Sequence, residues 1–218
     1  MPDYIQMQTY ATCDKLTFEG VLGRYRDVLE QLCCDDQQLF AWLAQVAWPS
    51  SEEDGFGDIY ASPFTLTAGD GTLECTGMAV SLYTEQGAPT LEIRPAWLGF
   101  NLLFDADSLR VEHSSLYKPE IGATLWHIMR ELESTFHEIG AYLTDEWQEN
   151  LAWRALAEET GSPWSFDLAI FPREQAKPFA VVPAGFQGTM VGRDFGFAQE
   201  NRWTVLPWQA SEQGKLNG

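Results

Sequence analysis

The 218-residue sequence predicts an α+β fold: an N-terminal helical hairpin, an antiparallel β-meander, two further helices and a C-terminal β-rich segment. Three observations carry this prediction. Apolar residues recur every three or four positions in two blocks, 17–48 and 119–161, and alternate or cluster in short runs elsewhere. The extended runs between residues 64 and 117 are joined by segments too short for helical crossovers, so their strands pair antiparallel. Helices and strands also come in blocks, where a doubly wound parallel sheet would need regular alternation.

Taken in order, residues 4–10 (YIQMQTY) alternate as a strand. Thr17 is the expected N-cap of a first helix whose Phe18, Leu22, Tyr25, Leu29 and Leu32 share one face. Asp35 or Asp36 caps a second helix with Leu39, Trp42, Leu43 and Val46 as its buried stripe, and Pro49 stops it. The runs SPFTLTA and TLECTGMAVSLYT read as strands with Asp70-Gly71 as their tight turn. PTLEIRP, FNLLFDA and LRVEHSSLY continue the extended pattern, with DADS as a turn. Residues 119–141 form the clearest helix, lined by Leu125, Ile128, Met129, Leu132, Phe136 and Ile139. A following helix is predicted from an N-cap at Thr144 to a stop at Gly161. WSFDLAIFP is then a buried strand, the Gly-punctuated residues 178–208 give short β or loop segments, and the tail from residue 209 is expected to fray. A single domain over residues 1–218 is the preferred organisation, with 118 and 160 as the alternative points of division.

Composition bounds the classes of function. With 45% hydrophobic and 21% charged residues the chain buries a core, which excludes wholesale disorder. The net charge is −19, and its distribution is uneven. Residues 1–60 hold 11 acids against 3 bases, a net of −8, whereas residues 161–218 hold 5 of each. Such a field repels phosphate backbones and anionic membrane surfaces, so neither nucleic acid nor membrane is an expected partner. A cationic protein is the expected partner, because opposite potentials raise the encounter rate. The start MPDYIQMQTYATCDK has no basic n-region followed by an apolar h-region, and no apolar run approaches 18 residues. A cytoplasmic protein with reduced thiols is the expectation.

Motifs that carry chemistry are scarce. Cys13, Cys33, Cys34 and Cys75 show no CxxC or Cys/His spacing. His127 and Glu131 share a helix face, and His137-Glu138 lacks the second His of an HExxH site, so no metal is expected. His113 stands beside Ser114 and Ser115 but there is no GxSxG elbow, and GTMVGRDFG is neither a P-loop nor a dinucleotide-binding loop. No catalytic residue and no cofactor are therefore assigned.

The acidic stretch PSSEEDGFGDIY, residues 49–60, is first a solvated connector, since its Pro, Ser and Gly content marks a loop. Its register does not fit a calcium-binding EF-hand. In the functional reading it is bait: Glu52, Glu53, Asp54 and Asp58 attract the partner, and Phe56 or Tyr60 anchors it. The sequence thus points to an acidic inhibitor of a cationic protein, most concretely an immunity protein that neutralises a bacterial toxin such as a nuclease. The alternatives are an enzyme built around His113, His127 or His137, and a DNA mimic that blocks a nucleic-acid-binding protein.

Overall fold

The strand predicted at residues 4–10 is longer than its alternation suggests. β1 spans Tyr4–Cys13 and runs through the middle of a sheet. The computed structural model describes residues 4–49, 57–83, 96–148, 151, 155–156 and 161–216. After β1 come α1 (Phe18–Gln31), α2 (Gln37–Leu43), β2 (Gly57–Tyr60), β3 (Phe64–Ala68), β4 (Gly71–Cys75) and β5 (Gly77–Tyr83). They are followed by β6 (Ala96–Asp105), α3 (Ala106–Leu109), α4 (Gly122–Thr135), β7 (Ala141–Asp145) and β8 (Leu168–Phe171). The described chain ends with β9 (Phe186–Val191), β10 (Asp194–Gln199) and α5 (Pro207–Leu216). The α+β class is as the sequence predicts.

Among the described residues, eight strands make one antiparallel sheet in the order β2-β5-β6-β1-β7-β8-β10-β9, and β3-β4 is a separate hairpin. Strands from either side of residues 118 and 160 therefore share this sheet. One face is apolar: Ile5, Met7 and Ala11 of β1 lie level with Phe104, Leu102 and Leu98 of β6, and Met7 with Leu143 of β7. The buried stripes of α1, α2 and α4 close over this face. Tyr25 of α1 stacks between Phe100 at 3.8 Å and Phe136 at 4.0 Å, tying the first helix to the sheet and to the end of α4. Such ring pairs contribute roughly 0.5–1.5 kcal/mol each beyond the area they bury.

The opposite face carries an aromatic cluster in which Tyr10, Tyr142 and Phe171 meet Phe166 and Phe179. Beside it lie Gln6, Gln8, Asn101 and Thr144, all buried, each with one side-chain polar atom that lacks a hydrogen-bond partner among the described residues.

Several local expectations are corrected. Residues 141–145 open no helix: they form β7, buried along its whole length, and Thr144 is a strand residue at 0% exposure. A strand covered on both faces loses its polar alternation, which is why AYLTD does not read as β. LRVEHSSLY is not a strand: Leu109 ends α3, and the rest is an irregular loop closed by an Arg110–Tyr117 bridge, with His113 at φ +57°. The tight turn lies one residue earlier than predicted, at Gly69-Asp70, because Ala68 pairs with Gly71. DADS winds into α3, with Asp105 accepting from the Ser108 amide at 2.8 Å. The helix expected over 119–141 ends at Thr135, α2 ends at Leu43 before Pro49 is reached, and the tail is helical to Leu216. The extended run at 89–95 lies outside the described residues.

Candidate functional site

The acidic helical layer is built by α1 and α2. Thr17 holds the N-cap position of α1 without a side-chain capping bond, and Asp14 caps the turn that leads into it: its Oδ1 accepts from the amides of Leu16 (2.9 Å) and Thr17 (2.8 Å), while its own amide donates to Thr17 Oγ1. The capping bonds, those from Thr17 foremost, hold the Asp14 carboxyl below its ordinary range. Asp36 caps α2 by accepting from the amides of Gln38 and Leu39. With both capping acids turned to backbone, Glu19, Asp27, Glu30 and Asp35 remain as exposed carboxylates on this layer. The bases there are partly spent: Arg24 pairs with Glu138 at 2.7 Å and Arg26 with Glu30 at 2.9 Å.

Between the two helices runs a groove of about 230 Å³, floored by Leu22, Phe40, Leu43 and Val46 and edged by Glu19 and Arg26. Its floor side chains belong to the core, so its shape is set by packing.

The predicted bait residues are only partly placed. Glu52, Glu53, Asp54 and Phe56 lie outside the described residues. Asp58 is exposed on β2, the edge strand of the sheet. Tyr60 is no surface anchor: it is 8% exposed, its hydroxyl donates to Asp36 Oδ2 at 3.1 Å, and its ring packs on Trp42 and Phe64. The strand alternation explains this, since Tyr60 faces the helices while its neighbour Ile59 points away and is 60% exposed. Leu16, 92% exposed just before α1, is a second apolar side chain left at the surface.

The three histidines separate. His113 is exposed beside Glu112 and gathers no site. His127 of α4 lines a cleft of about 400 Å³ with Asp70, Glu120 and Ser211, and its Nε2 lies 3.0 Å from Ser211 Oγ on α5. His137, just beyond α4, meets two carboxylates. Its Nδ1 lies 3.0 Å from Glu133 Oε1, and the donor atoms of Glu133, His137 and Asp194 all fall within 4.8 Å of one another. Glu133 and Asp194 are buried, at 4% and 6% exposure. Burial pushes the Glu133 carboxyl up and the charge of Asp194 adds to the rise, while His137 and Arg193 pull it back. Sequence reasoning tested Glu131 and Glu138 and missed this trio, because Asp194 comes from a hairpin 57 residues beyond His137.

A fourth cluster is ionic and closed. Asp167 Oδ2 accepts from Tyr117 (2.8 Å) and Arg110 (3.1 Å), and Asp167 Oδ1 from Arg202 (3.0 Å). Asp145 Oδ2 stands 3.5 Å from the Arg110 guanidinium. Two bases and two acids balance here, so the cluster joins β7, the β8 entry and the loops around α3, and exposes no surplus charge.

Among the described residues, no helix is long and apolar enough to cross a membrane. Comparison with protein-family models, with curated proteins and with solved structures finds no match for this chain.

Proposed function

We propose that this chain is an acidic protein-binding inhibitor, in its most concrete form a cytoplasmic immunity protein that occludes the basic surface of a cognate toxin such as a nuclease. The observation that carries the reading is the pairing, on one helical layer, of exposed carboxylates with a preformed apolar groove. Glu19 edges the groove, and Asp27, Glu30 and Asp35 lie on the same two-helix layer. A cationic partner would be steered by the carboxylates and would seat an apolar side chain between α1 and α2. The net charge of −19 supplies the long-range attraction. Asp58 and Ile59 extend the same logic to the β2 edge.

The test is to clone any toxin-like reading frame that adjoins this gene and to measure direct association of the chain with a catalytically inactive form of its product. The expected result is an on-rate that falls about tenfold or more from low to high salt. Reversing Asp27, Glu30 and Asp58 to Lys should lower the low-salt rate and flatten that dependence. Association that ignores both salt and the reversals would refute the charged-face mechanism.

One observation favours a second reading. The His127–Ser211 pair in its cleft has the spacing of a base and a hydroxyl nucleophile, as a hydrolase would need. Hydrolysis of p-nitrophenyl acetate by the intact chain, abolished by Ser211→Ala with the fold unchanged, would establish it; equal rates in both proteins would exclude it.

A further inference from the structure

We propose that Glu133, His137 and Asp194 bind a divalent transition-metal cation of the zinc class, pinning the end of α4 to the β9–β10 hairpin. This is independent of the inhibitor reading. Three features of the site argue for it.

The first is ligand chemistry and approach. One imidazole and two carboxylates make an N/O donor set suited to zinc and its neighbours in the first transition row. Glu133 lies in the last turn of α4 and His137 two residues past its end, and the 3.0 Å contact between Nδ1 and Oε1 shows that the two side chains converge. Asp194 opens β10 directly after the two-residue loop Gly192-Arg193, whose ends Val191 and Asp194 are paired. Gly192 takes φ +62° there, a conformation that a Cβ resists, so the hairpin delivers Asp194 from a constrained backbone.

The second is distance. Zinc held by N and O atoms at about 2.1 Å places tetrahedral ligands roughly 3.4 Å apart. Glu133 and His137 already stand at 3.0 Å, and the widest separation in the trio is at most 4.8 Å. Closing that gap takes a side-chain rotation. His137, whose side chain is 47% exposed, is free to make it, and its exposure leaves a coordination position facing solvent.

The third is charge. Two carboxylates at 4% and 6% exposure repel one another, and burial of like charges is costly unless something positive lies between them. The backbone supplies one donor, the Arg173 amide at 3.3 Å from Asp194 Oδ1. Arg193 supplies a guanidinium 3.9 Å from Asp194, but it is 72% exposed and therefore screened, and the imidazole of His137, 3.0 Å from Glu133, is itself 47% exposed. A divalent cation at the focus of the three side chains neutralises both acids at once.

The experiment is calorimetric titration of Zn²⁺ into the chelator-stripped full-length chain, with thermal unfolding followed in parallel. The expected result is about one equivalent bound at micromolar affinity or tighter, with a rise in Tm on binding. His137→Ala, at an exposed position, should weaken binding about tenfold or more, and Asp194→Asn should do the same. His113→Ala and Cys33→Ser, which alter other exposed donors, should leave the affinity unchanged. Binding no tighter than about 1 mM, or an affinity that survives His137→Ala, overturns the proposal. So does an affinity lost through Cys33→Ser or His113→Ala, since it would place the ion elsewhere.

Discussion

The carboxylate of Asp167 is fully buried and accepts from Tyr117, Arg110, Arg202 and, at 3.4 Å, Gln148, so Asp167→Ala strands charge as well as deleting contacts. Arg110 is 2% exposed and keeps the 3.5 Å approach of Asp145 and its place over the Tyr117 ring, while its Nε already lacks a partner among the described residues. Breaking a buried ion pair from one side costs roughly 3–5 kcal/mol. The Tyr117 hydroxyl, buried and left without its acceptor, adds about 1 kcal/mol or more. Arg202 is 19% exposed, turns partly to water and adds little. The expected loss is about 4–6 kcal/mol, against a total stability of about 5–15 kcal/mol for such a domain. Urea unfolding followed by tryptophan fluorescence measures it as a shift in midpoint at constant slope. Asp167→Asn keeps the shape and one acceptor, so it should lose less and stay folded if the alanine variant does not. In a double-mutant cycle, Arg110→Met combined with Asp167→Asn should lose less than the sum of the single losses. A loss below about 1 kcal/mol for Asp167→Ala would refute the claim that this cluster is an interdependent buried network.

Three further outcomes are expected. In the native chain at pH 8 a thiol reagent should react quickly at Cys33 alone, because Cys13, Cys34 and Cys75 are buried and burial pushes the Cys13 thiol up to about 12; fast labelling of two or more thiols would contradict this. Gly140→Ala should lower stability by about 2 kcal/mol or more in the same urea assay, since Gly140 sits at φ +98° and a Cβ there would run into the Ile170 carbonyl; a neutral substitution would show that the β7–β8 approach is looser than described. The lowered Asp14 carboxyl makes a contribution to stability that is present above its unfolded pKa of about 3.9 and is lost as pH falls through the lower folded value. An NMR titration in which Asp14 titrates at or above the ordinary value would remove the carboxylate from the cap.

Much of the architecture is legible because helices with one buried face announce themselves. The stripes of α1 and α4 are spaced as their buried residues require, and every one of Leu125, Ile128, Met129, Leu132 and Phe136 is buried. β7 is not legible, since a strand enclosed on both faces shows no alternation and Thr144-Asp145 mimics a helix cap. The position of β1 between β6 and β7 is equally hidden, because pairing partners some ninety and some one hundred and thirty residues apart leave no local mark. The same holds for the sites. Asp58 is exposed as its charge suggests, but Tyr60 is drawn inward by strand parity, and Ile59 takes the surface position. Glu133 and His137 are visible as a helical pair, whereas Asp194 joins them only through the sheet order that brings the β9–β10 hairpin beneath α4.

The central place of β1 bears on how the protein is made. Its two neighbours, β6 and β7, are translated some eighty and some one hundred and thirty residues later, so at about 5–20 residues per second the strand waits on the order of ten seconds with both ladders unsatisfied. During that interval YIQMQTYATC is a bare pairing template, open to neighbouring nascent chains. Yield from a ribosome should therefore respond to holdase chaperones and to elongation speed more than to the stability of the finished fold.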